Sequence, residues 1–239
     1  MSRHKVELQP AFLLHHYPYR ETSRLLELLT RDYGRVGLVA RGARSPRSKL
    51  RGILRPFTPL LVSWAGRGEL GTLTAAERQS QTVTVPAARL NSGWYMNELL
   101  LRLLQRHDTN EAIYENYAAA LNRLEQESAE AVVLRLFEKR LLDALGYGLQ
   151  LTVTEQGQPV EADRTYTYRT EVGVVLSAAA TDPQQTIAGR TLLALAAERL
   201  DDADLAAARS LLRGVLDFYL GPRPLKVREV TEAMYRHGT

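Results

Sequence analysis

The first third of the chain carries short apolar runs separated by glycine-containing turns, which is the pattern of β-strands. Spacing this short leaves no room for crossover helices, so we expect an antiparallel sheet closed into a small barrel. The leucine-rich run Ser23–Thr30 fits either a helix or a strand buried on both faces, and we interpret it as a strand. The predicted strands are Ala11–Tyr17, Ser23–Thr30, Arg35–Ala40, Pro59–Ala65 and Leu70–Thr74.

From about Leu90 the apolar positions change to a helical period, and three stripes follow one another up to Gly146. Gly146 is expected to take the left-handed conformation that ends the third helix. Residues 149–187 alternate instead, which indicates a small β-rich insertion. The predicted helices cover about 90–104, 112–124, 132–145, 192–200 and 205–220, with a short last helix over 226–236. The fold class is therefore α+β, with a barrel domain at 1–85 and a helical domain at 86–239.

Charge divides near the same boundary. Residues 1–85 carry 14 Lys and Arg against 6 Asp and Glu, whereas residues 86–239 carry 17 against 21. The net charges are +8 and −4, so the predicted barrel has a positive potential that attracts polyanions. Its densest part is Arg41–Arg55, with six basic residues and no acid. Such a run is also common in ordinary solvated loops, but the charge division favours contact with a phosphate backbone.

Phosphate contact requires exposed cations with sufficient reach, and single-strand recognition adds aromatic rings on which bases stack. Tyr19, beside Arg20 in a predicted turn, is the best placed ring. The predicted DNA-binding residues are Tyr19, Arg20, Arg24, Arg35, Arg41, Arg44, Arg47, Lys49, Arg51 and Arg55.

The apparent signals of an enzyme fail on their context. The run from Gly66 to Gly71 fits the dinucleotide pattern G-x-G-x-x-G, but a predicted strand follows it where that motif needs a helix, so we interpret it as a hairpin turn. His15 and His16 are adjacent and point to opposite faces of a strand, so they cannot bind one metal ion together. We predict no catalytic residues, no metal site and no cofactor.

The chain has no cysteine, which excludes disulfides and thiolate zinc sites and suits a reducing compartment. Polar residues interrupt every apolar stretch, so we predict no membrane span. These features indicate a soluble cytoplasmic protein.

Several motifs occur in the order found in one known family. They are Phe12-Leu-Leu-His15 with Tyr19-Arg-Glu-Thr-Ser23, Gly34 to Arg44, Pro56 to Leu61, Gly66-Arg-Gly68, Asn97-Glu-Leu99, Phe137-Glu138, Leu145-Gly-Tyr-Gly148 and Pro224 to Glu229. The chain resembles the bacterial recombination mediator RecO family. The resemblance implies an N-terminal OB-fold, a helical C-terminal domain, binding of single- and double-stranded DNA and annealing of complementary strands. It also implies work with RecR and the single-strand-binding protein to load RecA, in the cytoplasm at the nucleoid.

One departure concerns the insertion, where many members of the family have four zinc-binding cysteines. Without them the insertion is expected to be held by apolar side chains, namely Val153, Tyr166, Tyr168, Val174 and Leu176. The family's helical domain receives the acidic tail of the single-strand-binding protein, and the predicted residues for that role are Arg135, Lys139 and Arg140. Lys226 and Arg228 match the C-terminal motif without an assigned role.

Two interpretations follow from the sequence. The first is a non-enzymatic DNA-annealing mediator, and the alternative is a protein-interaction adaptor whose basic barrel binds acidic protein tails. The basic run supports both, because carboxylates and phosphates attract the same cations.

Overall fold

A computed structural model describes residues 5–66, 68–80, 83–126, 129–177 and 186–230. The described residues form two compact units. The first unit lies within Met1–Ser128 and Leu225–Thr239, and the second within Ala129–Pro224. The domain boundary at residue 85 stays a prediction, since the barrel ends before it but the first helices pack with the barrel.

The first unit is built on five strands that form a closed barrel in the order β1-β2-β3-β5-β4. This five-stranded barrel is an OB-fold, and Ser23–Thr30 is a strand as predicted. The strands are β1 Lys5–Tyr19, β2 Ser23–Thr30, β3 Gly34–Ala40, β4 Leu60–Ala65 and β5 Leu70–Arg78. The expectation of a wholly antiparallel sheet is wrong for one pair. Strands β3 and β5 run parallel where they close the barrel, with Leu38 opposite Gly71.

Alternation along the strands decides which residues fill the barrel. Leu26 and Leu28 of β2 and Leu38 of β3 are buried in its core. Burial of each such side chain contributes about 1.5–3 kcal/mol to folding. A β-bulge between Leu13 and His15 shifts the register of β1.

Two long helices of the first unit pack against β1, namely α2 Leu90–Leu103 and α3 Glu111–Gln126, whereas the short α1 Leu50–Ile53 lies against β5. A 3-10 turn at Ala87–Arg89 precedes α2. The side-chain amide of Asn97 in α2 donates to the Leu14 carbonyl at 2.8 Å. The Phe12 ring lies 5.3 Å from Tyr114 and 5.1 Å from Tyr117, both in α3. This half of β1 is therefore buried on both faces.

The second unit combines helices with the predicted insertion. Its helices are α4 Glu130–Ala144, α5 Gly189–Ala196 and α6 Leu205–Leu220. Gly146 follows α4 with a φ of +82°, the left-handed conformation predicted for it. The insertion forms a sheet in the order β7-β6-β8, from β6 Thr165–Arg169, β7 Gly173–Leu176 and β8 Ile187–Ala188.

The prediction of which apolar residues hold the insertion is only partly correct. Tyr166 and Val174 are buried, but Val153 is 37% exposed and Leu176 is 50% exposed. Leu176 ends β7, which is an edge strand of this sheet. Burial comes instead from residues that the alternation did not single out, which are Leu151, Val160 and Ile187.

The chain returns to the first unit after α6. Residues 226–230 are helical, and the remainder of the helix predicted over 226–236 lies outside the described residues. Within the described ranges, no helix is both long enough and apolar enough to cross a membrane.

Candidate nucleic-acid interface

The basic loop, residues 41–55 between β3 and β4, follows a defined path over the end of the barrel. Ala43 and Leu54 are buried in the barrel core and fix it at two points. The Arg44 amide donates to the Thr22 carbonyl at 2.8 Å, and the Arg78 side chain of β5 donates to the Gly52 carbonyl. The loop is therefore held by the scaffold, although its glycines and serines suggest flexibility.

The same anchoring directs the loop's cations outward. Among the described residues none of them forms an ion pair with an acid, so phosphate binding would break no internal pair. The exposed cations are Arg41, Arg44, Arg47, Lys49, Arg51 and Arg55.

The turn between β1 and β2 lies beside this loop. The Arg44 guanidinium donates to the Arg20 carbonyl at 3.2 Å, and Arg24 is paired in the sheet with Ala40, just before the loop. The Arg20 guanidinium lies over the Tyr19 ring, 5.4 Å from its centroid. The structure thus places Tyr19 and Arg20 beside the basic loop. Arg24 is paired with Pro18 and Ala40, so its side chain lies on the face of the sheet opposite to Tyr19, and DNA contact by these residues stays a prediction.

Arg35 does not join this surface. Its guanidinium donates to the carbonyl oxygens of Leu101 and Leu104, the second at 2.9 Å, and lies 3.2 Å from the carboxylate of Glu27. Only 17% of the side chain is exposed. The prediction that Arg35 contacts DNA is corrected, because this arginine ties β3 to the end of α2.

A buried carboxylate explains the position of the Arg35 side chain. Glu27 of β2 is paired with Arg35 and also accepts a hydrogen bond from Arg106, which follows α2. The hydrogen bond to Glu27 raises the pKa of the Arg106 guanidinium. Sequence reasoning missed Arg106 because 79 residues separate it from Glu27 and no local pattern links them.

Arg135, predicted to bind a partner's acidic tail, is buried. It is 7% exposed and makes two hydrogen bonds to the Glu138 carboxylate, at 2.8 and 2.5 Å. A rim cation must reach solvent, so this geometry contradicts the role predicted for Arg135. The buried stripe of α4 is wide enough to include position 135, beside Leu136 and Glu138.

Lys139 and Arg140 are also paired within the second unit. The Lys139 ammonium lies 3.0 Å from Asp143 and 3.4 Å from Glu198, and Arg140 donates to the same Glu198 carboxylate. The hydrogen bond from Arg140 is the main cause that lowers the pKa of Glu198. Both cations are half-buried rather than buried, so a partner's acid would compete with Glu198 for them.

A cleft of about 550 Å³ in the second unit was not predicted. It lies between β6, β7 and α6 and mixes apolar side chains with one arginine. Its lining includes Thr167, Arg169, Leu176, Ser210, Leu211 and Val215. It joins residues about 40 positions apart, so periodicity alone could not reveal it.

The C-terminal motif is held by α2. The Glu98 carboxylate accepts the amides of Lys226 and Val227 at 2.8 and 2.9 Å, and so caps the helical segment that begins there. The Arg228 guanidinium lies 5.7 Å from the centroid of the Tyr95 ring. Leu225, directly before them, is buried.

The first two glycines of the G-x-G-x-x-G pattern lie between two paired antiparallel strands, and the third, Gly71, lies in β5. Gly66 and Gly68 have φ values of +146° and +89°, as a tight turn between β4 and β5 requires. The hairpin interpretation is confirmed, since β5 follows where a dinucleotide site has a helix. The described residues contain no group of three or more His, Asp or Glu side chains arranged to hold a metal ion.

Comparison with known families matches nearly the whole chain. Residues 1–81 match the family described as Recombination protein O N terminal, and residues 87–229 match Recombination protein O C terminal. The chain belongs to the recombination protein O family. The resemblance drawn from the motifs is confirmed, and the barrel described above is the family's N-terminal domain.

Curated relatives are similar over most of their length and carry the name DNA repair protein RecO. The relative from Alkalilimnicola ehrlichii is 47% identical, over 99% of this chain and 93% of its own. The relative from Nitrosococcus oceani is 46% identical, over 98% of this chain and 96% of its own, and that from Haemophilus influenzae is 43% identical, over 94% and 95%. The chain is therefore a DNA repair protein of this family.

Proposed function

We propose that the protein is a non-enzymatic mediator that binds single- and double-stranded DNA, anneals complementary strands and helps load RecA onto DNA coated by single-strand-binding protein. The observation that carries the DNA-binding part is the basic loop. Its two buried anchors hold six exposed cations, and none of the six forms an ion pair with another described residue. Annealing and loading are what family membership supports.

The mechanism requires no bond to be broken. Two complementary strands repel each other through their phosphates, and cations placed between them reduce that repulsion. The contacts carry no sequence information, so the strands can shift until their bases pair. Arg20 and Arg24 extend the cationic surface beyond the loop, and Tyr19 offers a ring for stacking.

The experiment that tests the loop is the salt dependence of binding to single-stranded DNA. Each phosphate contact contributes about −0.7 to the slope of log affinity against log salt. Arg44→Ala/Lys49→Ala/Arg51→Ala is therefore expected to reduce the slope by about 2 and to weaken binding, as measured by fluorescence anisotropy at several salt concentrations.

The matched control is Arg190→Ala/Arg199→Ala/Arg209→Ala, which removes three exposed arginines from the second unit and changes the net charge equally. It is expected to leave the slope unchanged. An equal loss of affinity in both triple variants would indicate a general effect of net charge. If the loop variant keeps the affinity and the salt slope of the wild type, the basic loop is not part of the interface.

The proposed protein partners are RecR and the acidic tail of the single-strand-binding protein. In the second unit, Arg140, whose side chain is 40% exposed, is the better candidate for the tail, since Lys139 is only 14% exposed. Each already has Glu198 as a partner. The cleft beside α6 supports a second location, because Arg169 and the apolar Leu211 and Val215 share its lining. An acidic tail that ends in an apolar side chain requires that combination.

The alternative is an adaptor whose basic loop binds acidic protein tails. The same exposed cations support it, since they would attract carboxylates. It predicts tight binding of an acidic tail peptide at the loop and DNA affinity no better than micromolar at physiological salt.

A further inference from the structure

We propose that bound single-stranded nucleic acid continues from the basic loop along the outer face of β1 and ends at Lys226, near the other end of the chain. This β1 track consists of Tyr19, Tyr17, His15 and Lys226. The β1 track rests on the proposed DNA binding and adds a path for the bound strand beyond the basic loop. Along this path the strand is held by base stacking in the middle and by cations at both ends.

Strand geometry places the three aromatic side chains on one face. Alternate residues of a strand point the same way, so positions 15, 17 and 19 share a face after the bulge. The rings of His15 and Tyr17 confirm this for the first pair, since their centroids lie 4.5 Å apart in an edge-to-face arrangement. This face is the outer one, because Leu26 and Leu28 of the neighbouring strand fill the core while Glu27 between them does not.

The upper end of the track meets the basic loop. Tyr19 lies beneath the Arg20 guanidinium, and the Arg20 carbonyl accepts a hydrogen bond from Arg44 of the loop. From Tyr19 to His15 the strand advances about 13 Å, at about 3.3 Å for each residue. That distance accommodates a few stacked bases.

The lower end is formed by the C-terminal segment. Asn97 of α2 is bonded to the Leu14 carbonyl, and the next residue, Glu98, holds the Lys226 amide at 2.8 Å. Lys226 is therefore placed beside β1 at residues 14 and 15, and its side chain is exposed. This gives a location to a motif residue that the sequence left without a role.

The charges along the track favour an anion. Glu27, opposite His15, is neutralised by Arg35 and Arg106, which leaves an excess of one positive charge there. The carboxylate of Glu98 accepts two backbone amides. Among the described acids near this face, Glu21 and Glu69 are exposed, but they lie in the β1–β2 and β4–β5 turns and not on the strand.

The chemistry of the middle of the track is stacking. Tyr17 is 45% exposed, so its ring is open to a base, whereas Phe12 of the same strand is buried against Tyr114 and Tyr117 of α3. Burial lowers the pKa of His15, so its imidazole is neutral at pH 7 and available beside Tyr17 as a second flat surface. Stacking on such rings accepts any base, as annealing of arbitrary sequences requires.

The test compares a short and a long oligothymidylate, about 6 and about 20 nucleotides, by anisotropy at one salt concentration. Tyr17→Ala/Lys226→Ala removes one stacking ring and one cation, so it is expected to weaken binding of the long strand about ten-fold and to leave the affinity for the short strand unchanged. Tyr17→Phe keeps the ring and is expected to bind both strands as the wild type does.

The matched control is Tyr147→Ala/Arg199→Ala, which removes an equally exposed tyrosine and an exposed cation from the second unit. It is expected to change neither affinity. Equal affinity of the wild type and Tyr17→Ala/Lys226→Ala for the long strand would overturn the track, provided that thermal unfolding shows both to be folded.

The loop triple variant separates the two proposals. If the loop variant loses affinity for both strands while Tyr17→Ala/Lys226→Ala loses affinity for neither, the proposed DNA binding is supported and the β1 track is wrong. If neither variant loses affinity for either strand, the proposed DNA-binding surface itself is wrong. As a direct check, a strand that carries 5-iodouracil is expected to photo-crosslink to Tyr17.

Discussion

At the scale of single residues, burial decides what a charge does. Arg135 and Arg44 are both predicted from the sequence to contact an anionic ligand, yet Arg135 is enclosed with Glu138 and Arg44 is exposed on the basic loop. The sequence pattern does not show that Arg135 is buried, because helical periodicity locates the edge of a buried helix face only to within about one residue. Glu27 is a similar case on a strand, since two arginines from distant positions enclose it.

The buried pair leads to a prediction on stability. Arg135→Ala removes the two hydrogen bonds that this arginine donates to the buried Glu138 carboxylate, which is expected to lower the free energy of unfolding by about 3–5 kcal/mol. Urea denaturation followed by circular dichroism measures this loss. The exposed pair of Arg164 with Glu161 has the same spacing, and Arg164→Ala is expected to cost less than about 1 kcal/mol.

A second variant makes this prediction specific. Arg135→Met/Glu138→Leu replaces both charges with apolar side chains of similar size and is expected to recover most of the stability. If Arg135→Ala unfolds at the same urea concentration as the wild type while it loses affinity for an acidic tail, the arginine has the binding role first predicted for it.

At the scale of elements, most of the fold could be predicted from the sequence because its patterns are local. Strand β2 and helix α6 have the predicted bounds, and Gly146 ends α4 as expected. The parallel pairing of β3 with β5 could not be predicted, since it depends on how the barrel closes. The same holds for Lys226, which reaches the barrel only after the chain has passed through the second unit.

Gly34, at the start of β3, shows how tightly one of these elements is fitted. It has a φ of +62°, and a Cβ atom there would lie 2.0 Å from the Asp108 carbonyl oxygen. Gly34→Ala is therefore expected to destabilise the protein by about 3 kcal/mol or more, since backbone strain of about 1–2 kcal/mol and overpacking act together. Thermal or urea unfolding provides the measurement.

Gly42, in the basic loop, is the matched control. Its φ is +67°, but an added Cβ would meet nothing within 4 Å. Gly42→Ala is expected to cost only the strain, about 1–2 kcal/mol. Equal losses at the two positions would mean that the loop around Asp108 moves aside and that its contact with β3 is not rigid.

At the scale of the whole molecule, the division of charge separates two kinds of ligand. The barrel sequence is basic and the remainder is mildly acidic, so DNA is expected at the first unit and protein partners at the second. The adaptor alternative instead assigns the basic loop to an acidic protein tail. Both interpretations involve the same cations, so affinity for DNA alone does not distinguish them.

Annealing on coated DNA distinguishes them. Complementary strands covered with single-strand-binding protein are expected to anneal in the presence of this protein only when the coating protein keeps its acidic tail, as measured by fluorescence quenching between labelled strands. On bare strands the tail is irrelevant, and the loop variant Arg44→Ala/Lys49→Ala/Arg51→Ala is expected to anneal slowly because phosphate repulsion is no longer reduced.

An adaptor would bind the free tail peptide through the loop, so the same variant would lose affinity for the peptide, and the wild type would not accelerate annealing of bare strands. If the loop variant still binds the tail peptide but no longer anneals bare strands, the tail and DNA bind to different surfaces. That result supports the mediator.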